Sequence, residues 1–265
     1  MTRMIVSGCL GRLGSAICRL AEADADLEVV AGIDVAAPPS PLPYPLYKDV
    51  SACFESADVY VLCASPHVLD SILKQARHCA TMQIPLVLCT TGLPDDRLEM
   101  IKKTAGSNAV LVSANMSLGI NLLTKIIHDA AKLLYEANFD IEIIERHHNQ
   151  KLDAPSGTAY MLAEAAKGAV DTKMRYMTGR STTREFVFGQ TPVNKLRERN
   201  EIGIHSVRGG TITGDHSVIF AGLDEVIELK HSALSRDVFA VGALKAAKFM
   251  HGKPPGLYTM QDVVS

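Results

Sequence analysis

Apolar residues recur along this chain in two alternating rhythms. Short apolar runs bounded by turn residues read as strands, and longer stretches with apolar positions at helical spacing read as helices. In the first part, strands are predicted over residues 4–7, 27–33, 59–64, 86–89 and 110–113, and helices over 15–23, 68–78 and 95–104. The proline-rich stretch 38–45 is excluded from both. Strands that alternate with helices predict a parallel, doubly wound sheet. Further on, a long helix is expected over 119–134, a strand over 138–144 and a helix over 159–166. Strands over 202–208, 211–221 and 225–231 read as antiparallel, joined at Gly209-Gly210 and at Gly222-Leu223-Asp224. Residues 178–199 are polar and carry no assignable pattern, and Ser235 caps a last helix that ends near Met250. The predicted fold is therefore α/β: a Rossmann-type parallel doubly wound sheet, with a second α+β domain built on a mostly antiparallel sheet. Residues 1–118 with 235–265 form the first domain, and 119–234 the second.

The first strand runs into Gly8-Cys9-Leu10-Gly11-Arg12-Leu13-Gly14 and then a helix, and the second strand ends at Asp34. A glycine turn inside a β-α-β unit, with an acid about twenty residues on, is a dinucleotide fingerprint. Gly8 permits the turn, Gly11 admits a pyrophosphate to the backbone, and Gly14 lets helix and strand pack closely. A carboxylate at Asp34 accepts from ribose hydroxyls and repels a 2′-phosphate. Val35 stands where a cation would hold such a phosphate, while Arg12 could still meet it. NADH is thus the expected cofactor, with NADPH tolerated. In a parallel sheet the ligand lies at the carboxyl ends of the strands, where the turns at Ser65-Pro66, 90–92 and 113–116 also fall.

The stretch from Glu145 to Thr158 carries the candidate chemistry. It joins a strand to a helix and holds His147, His148, Lys151, Asp153 and a Ser156-Gly157-Thr158 helix start. Backbone N–H groups at that start, aided by the helix dipole, favour a carboxylate or phosphate. In an alternating strand, His147 shares a face with Ile141, Ile143 and Glu145, and His148 points the other way. One histidine can then serve the chemistry while its neighbour binds a different group.

Composition narrows the field. Nearly half of the 265 residues are apolar, the net charge is −2, and tryptophan is absent. No basic block suggests nucleic acid. The N-terminus reads as a short lead into a strand, not a signal peptide, and no apolar run is long enough for a bilayer. A cytoplasmic protein is expected. The six cysteines, with no C-x-x-C pair, read as reduced, mostly buried thiols. Cys9, in the glycine turn at a helix start, is a position where a thiol pKa can fall. His205, His216 and His231 occur singly and read as hydrogen-bonded structural residues. No metal site is expected.

The run His147-His148-x-x-Lys151-x-Asp153-Ala154-Pro155-Ser156-Gly157-Thr158-Ala159 resembles the signature of the 4-hydroxy-tetrahydrodipicolinate reductase family of lysine biosynthesis. The likeness extends to Cys89-Thr90-Thr91-Gly92 and Ser113-Ala114-Asn115-Met116-Ser117, where cysteine and methionine replace the family's glycine and phenylalanine. It continues through Arg208-Gly209-Gly210-Thr211, Gly214-Asp215-His216 and 231–236, so it covers essentially the whole chain.

The resemblance implies NAD(P)H-dependent reduction of a cyclic dicarboxylate in lysine and diaminopimelate biosynthesis, by a cytoplasmic homotetramer assembled through the second sheet. It implies nucleotide contacts from Gly8 to Leu13 and at Asp34, with Cys89, Thr90, Thr91, Ser113, Ala114, Asn115 and Met116 near the nicotinamide. His147 is assigned as general acid, Lys151 as charge stabiliser and alternative donor, and His148, Gly157 and Thr158 as substrate ligands. Closure must bring the two domains together for reaction. On the residues alone two other readings stay open: another NAD-dependent amino-acid or semialdehyde dehydrogenase on a similar scaffold, and a non-catalytic NAD-sensing protein.

Overall fold

A computed structural model describes residues 1–179 and 196–265. In chain order its elements begin with β1 (Thr2–Ser7), α1 (Arg12–Glu22), β2 (Leu27–Ile33), β3 (Leu46–Tyr47), β4 (Val59–Leu62) and α2 (Leu69–Met82). Next come β5 (Leu86–Leu88), α3 (Asp95–Lys103), β6 (Ala109–Val112), α4 (Leu118–Glu136), β7 (Asp140–His147) and α5 (Gly157–Gly168). The chain continues through β8 (Arg175–Thr178), β9 (Glu201–Arg208), β10 (Asp215–Ala221), β11 (Val226–Ser232), α6 (Asp237–Met250), β12 (Gly256–Tyr258) and α7 (Met260–Val264). They fall into two compact units, Met1–Asn121 with Ser235–Ser265, and Leu122–Leu234. Much of the polar stretch 178–199 lies outside the described residues.

In the first unit the strand order is β12-β6-β5-β4-β1-β2-β3, and every pairing is parallel. The order reverses at β1, which makes the β1–β4 edge the switch point where such sheets take a nucleotide. Both faces are covered, so the strands are apolar on both sides. Met4, Val6, Val59 and Val61 join the core cluster of α1 and α6, with Ile17, Ala243 and Met250. Ile5, Tyr60 and Leu62 join the opposite cluster, with Ile72 and Leu73 of α2 and Ile101 of α3. The C-terminal segment adds β12 beside β6 as an edge strand.

In the second unit the order is β11-β10-β7-β9-β8. β7 pairs antiparallel with β10 and parallel with β9, so the sheet is mixed. β10 and β11 are antiparallel as the turn at Gly222 suggests. β9 and β10 are not hairpin partners, however, because β7 lies between them. Gly209-Gly210 instead folds over the end of β7, where Gly209 N donates to His147 O and Asn149 N to Gly210 O. Ile141, Ile143, Ile202, Ile204, Val218 and Phe220 turn one face to Leu123, Ile127 and Ala131 of α4 and to Leu162 and Ala163 of α5.

Two boundaries differ usefully from the predicted ones. Helix α1 starts at Arg12 because Gly11, extended at φ −72° and ψ 170°, serves as its N-cap. Strand β7 runs on to His147, since Arg208 of β9 pairs with it there.

Close packing in the first unit is testable at Gly242 of α6. A Cβ at this position would stand 1.7 Å from Met116 O, whereas one at Gly106 meets nothing within 4 Å. Gly242→Ala should cost about 1–3 kcal/mol of unfolding free energy in urea, and Gly106→Ala far less. Equal midpoints for the two variants would contradict this packing.

Candidate active site

At the switch point, Gly8 takes φ +72°, and a Cβ there would come 2.8 Å from Cys63 O of the neighbouring strand's end. A Cβ on Gly14 would stand 2.1 Å from Gly8 O, so helix and turn touch through bare backbone. Helix α1 has no side-chain cap. Its first-turn N–H groups lack intrahelical acceptors, which suits a phosphate. Asp34 is tied to the same turn: its Oδ2 accepts from Leu10 N at 3.0 Å and its Oδ1 from Ala36 N at 3.1 Å. Arg12 is exposed at the helix start, while Leu10 and Leu13 pack partly into the core. A glycine cradle with an uncapped helix and an adjoining carboxylate fits a dinucleotide.

Three side chains assigned to this edge point elsewhere. Cys9 is 1 % exposed and lies against Gly32, and burial pushes its thiol up to about 12. The lowering that a helix start can give a thiol is therefore outweighed here by desolvation. Cys89 is likewise buried, with its thiol pushed up to about 12, and Met116 sits in the core beneath α6. What these residues present at the sheet edge is backbone. Thr90 Oγ1 donates to Ala64 O at 2.8 Å, joining the turns after β5 and β4, and Thr91 is exposed. Ser113 and Asn115 brace the turn after β6: Ser113 Oγ donates to Asn115 O, and Asn115 Oδ1 accepts from Ser117 N. Ala114 is exposed beside them.

In the second unit, alternation along β7 carries the apolar face of Ile141 and Ile143 on into Glu145 and His147. Glu145 has 0 % exposure, yet it is surrounded by donors, Ser206 among them. His147 Nδ1 lies 2.5 Å from Oε2, Arg208 Nη1 and Nη2 donate to Oε2 and Oε1 at 2.8 and 2.7 Å, and Ser156 N donates to Oε1 at 3.1 Å. Burial alone would raise this carboxyl, but the hydrogen bonds from His147 and Arg208 outweigh it and hold it well below the usual carboxylate range.

Ser156 is the N-cap of α5, its Oγ accepting from Ala159 N at 3.1 Å. The same Oγ is hydrogen-bonded to His216 Nε2 at 3.0 Å. The His216 ring meets that of His147 edge to face at 5.1 Å. Lys151 Nζ donates to Asp153 Oδ1 at 2.8 Å. Arg208 Nη2 also reaches Asp153 O at 2.6 Å, so it grips the loop as well as the strand. His148 is half-buried, and Gly157 is exposed with open space around its Cα.

The sequence assigns no role to Glu145 or Arg208, and it reads His216 as a hydrogen-bonded structural histidine, with which its bond to Ser156 Oγ agrees. The i, i+2 pattern placed Glu145 beside His147. Arg208 and His216 come close only through the β7–β9 and β7–β10 pairings. Among the described residues, no group of three or more His, Cys, Asp or Glu side chains is arranged to hold a metal ion. None of the described helices is long and apolar enough to cross a membrane.

A nucleotide-type α/β unit, coupled in one chain to a unit with a buried carboxylate–histidine pair at a helix start, defines the class: a Rossmann-fold oxidoreductase. Sequence patterns of the dihydrodipicolinate reductase N-terminus and C-terminus match residues 2–116 and 119–264. The 4-hydroxy-tetrahydrodipicolinate reductase of Caldanaerobacter subterraneus subsp. tengcongensis is 46% identical over 264 residues, covering 100% of this chain and 98% of that protein. That of Clostridium novyi is 47% identical with the same coverage. Among solved structures, the dipicolinate-bound dihydrodipicolinate reductase from Paenisporosarcina sp. TG-14 shares the fold at a TM-score of 0.79 and 24% identity, covering 98% of this chain and 97% of that one. The chain belongs to the dihydrodipicolinate reductase family.

Burial leaves a pH signature at the site. Desolvation, then the charge of His147, lowers His216 from 6.5 to about 4. The unfolded chain thus binds this proton first. The stabilisation is complete above about pH 6.5 and is lost as pH falls towards 4. Glu145, shifted down, adds a further loss that begins as pH falls through the ordinary carboxylate range, from about pH 4.5 downwards. Between pH 7 and pH 5, His216 should account for a fall of about 2 kcal/mol in unfolding free energy. Urea titrations of the wild type and His216→Asn test this, and an unchanged pH slope in the variant would refute it.

Proposed function

We propose that this chain reduces 4-hydroxy-tetrahydrodipicolinate to tetrahydrodipicolinate, the 4-hydroxyl leaving as water and a hydride and a proton adding across the resulting carbon–carbon double bond, which is the lysine and diaminopimelate biosynthetic step for which its relatives are named. The observation that carries this reading is the buried Glu145–His147 pair leading directly into the Lys151 loop and the capped start of α5. The cofactor is a pyridine nucleotide. When bound, its reduced nicotinamide supplies the hydride.

The first unit, from residue 1 to about 118 with 235–265, acts as the nucleotide-binding domain. The backbone from Gly8 to Leu13 and the start of α1 hold the pyrophosphate, and Asp34 meets the ribose hydroxyls. Cys89 to Thr91 and Ser113 to Met116 offer backbone to the nicotinamide half. The negative charge of Asp34 beside the turn supports a preference for NADH over NADPH.

The second unit, about 119–234, binds substrate. A dicarboxylate needs cations and N–H groups. The α5 start at Gly157 and Thr158, with His148, supplies one anchor. Lys151 supplies the other by exchanging Asp153 for a substrate carboxylate. His147 in its protonated form then gives a proton to the carbon next to the one reduced. Lys151 is the second candidate for that donor, and the pH–rate profiles of His147→Asn and Lys151→Ala separate the two. The sheet face away from α4 and α5 carries Val207 at 43 % exposure, and β11 carries Val226 at 64 %. That open face supports assembly into a homotetramer. A small diacid and a pyridine nucleotide are cytoplasmic metabolites, so the work is placed there.

The test follows oxidation of NADH and NADPH with substrate generated in place from pyruvate and aspartate semialdehyde by the preceding synthase. Rapid oxidation that needs both precursors, faster with NADH, is expected. Lys151→Ala should lower kcat about 100-fold with NADH affinity intact. Cofactor binding without oxidation by the wild type would reject the assignment.

A further inference from the structure

The Glu145–Arg208 pair is more than a core contact. Taking a carboxylate and a guanidinium out of water is costly, and apolar residues of similar volume often stabilise a core as well or better. Stability therefore gives little reason to keep this pair at the end of β7. Geometry gives a better one. The Glu145 carboxylate holds no proton and can only accept, so the His147 Nδ1 that lies 2.5 Å away must carry one. The other ring nitrogen, Nε2, faces Gly214, where even a Cβ would come within 3.1 Å. The absence of a side chain on Gly214 keeps that side of Nε2 uncrowded.

Two further bonds fasten the loop that follows. Ser156 N donates to Glu145 Oε1, and Arg208 Nη2 donates to Asp153 O. Lys151, hydrogen-bonded to the Asp153 side chain, lies between strand and helix on that fastened loop.

We propose that Glu145, clamped by Arg208, is the positioning residue of this site: it fixes His147 with its proton on Nδ1, presents Nε2 to the substrate, and anchors the Lys151 loop. In the protonated ring, Nε2–H is then the proton available for transfer, and the neutral Nδ1–H ring is what remains. This inference rests on the reductase reading above for its kinetic part, and on none of it for the ring's protonation.

Two measurements test it on the full chain. Ring nitrogen shifts of 15N-histidine-labelled protein, with His147 assigned by His147→Asn, report the tautomer at alkaline pH. Steady-state kinetics report turnover. The wild type should show His147 as the Nδ1–H tautomer. Glu145→Gln should populate the Nε2–H form and lower kcat about 100-fold or more, with KM moved less than about threefold and NADH affinity unchanged.

Arg208→Lys, which keeps a cation but loses the two-pronged grip, should lower kcat by about tenfold. It also decides the matter if Glu145→Gln does not fold. An Nε2–H tautomer in the wild type, or near wild-type kcat in both variants, would overturn the proposal. A wild type that shows the Nδ1–H tautomer but does not turn over the diacid would remove the reductase reading and leave the positioning of His147 standing.

Discussion

A carboxylate with no exposure, held by His147, Ser156 and Arg208, is the constraint on which the end of β7 and the start of α5 depend. These donors come from different parts of the chain: the ring of His147, the backbone of Ser156, and both terminal nitrogens of Arg208. Losing any one leaves a buried charge less well solvated, at a cost typical of buried polar groups. The arrangement is therefore all or nothing. It sets where β7 ends, where α5 begins, and which way the imidazole turns. Ser156 extends it by capping α5 and by holding His216, whose burial keeps it neutral at physiological pH beside His147.

The first unit solves the opposite problem. There the site is made of backbone with side chains removed: Gly8 and Gly14 bring β1, α1 and the end of β4 so close that no Cβ fits. The neighbouring cysteines belong to the core beneath, where desolvation raises Cys9, Cys63 and Cys89 and keeps them as thiols. In the function proposed above, one unit offers N–H groups to a nucleotide, and the other offers a fixed imidazole and a lysine. An enzyme of this family needs both kinds of surface.

The local parts of this were legible in the sequence. Strand–helix alternation read β1, β2, β4, β5 and β6, and the spacing from Gly8 to Asp34 located the turn that Asp34 indeed touches. Period-two alternation put Glu145 and His147 on one face. What escaped was set by pairing at long range. Arg208 lies 63 residues from Glu145 and reaches it because β9 runs parallel to β7, which a reading of successive hairpins cannot anticipate. His216 looked like a solitary strand histidine until β10 paired it with Glu145. For Cys9 the helix start leaves the thiol pKa open, and only packing shows that the side chain turns inward, where burial raises it.

The central claim is that Glu145 acts through His147. A double-mutant cycle on kcat tests it most directly, using Glu145→Gln, His147→Asn and the pair together. Because a Gln amide oxygen can still accept from Ser156 N and keep the Lys151 loop in place, the account predicts that Glu145→Gln costs almost nothing further once His147 is gone, so the double variant turns over as slowly as His147→Asn alone. Losses that multiply would show two independent contributions and contradict the account.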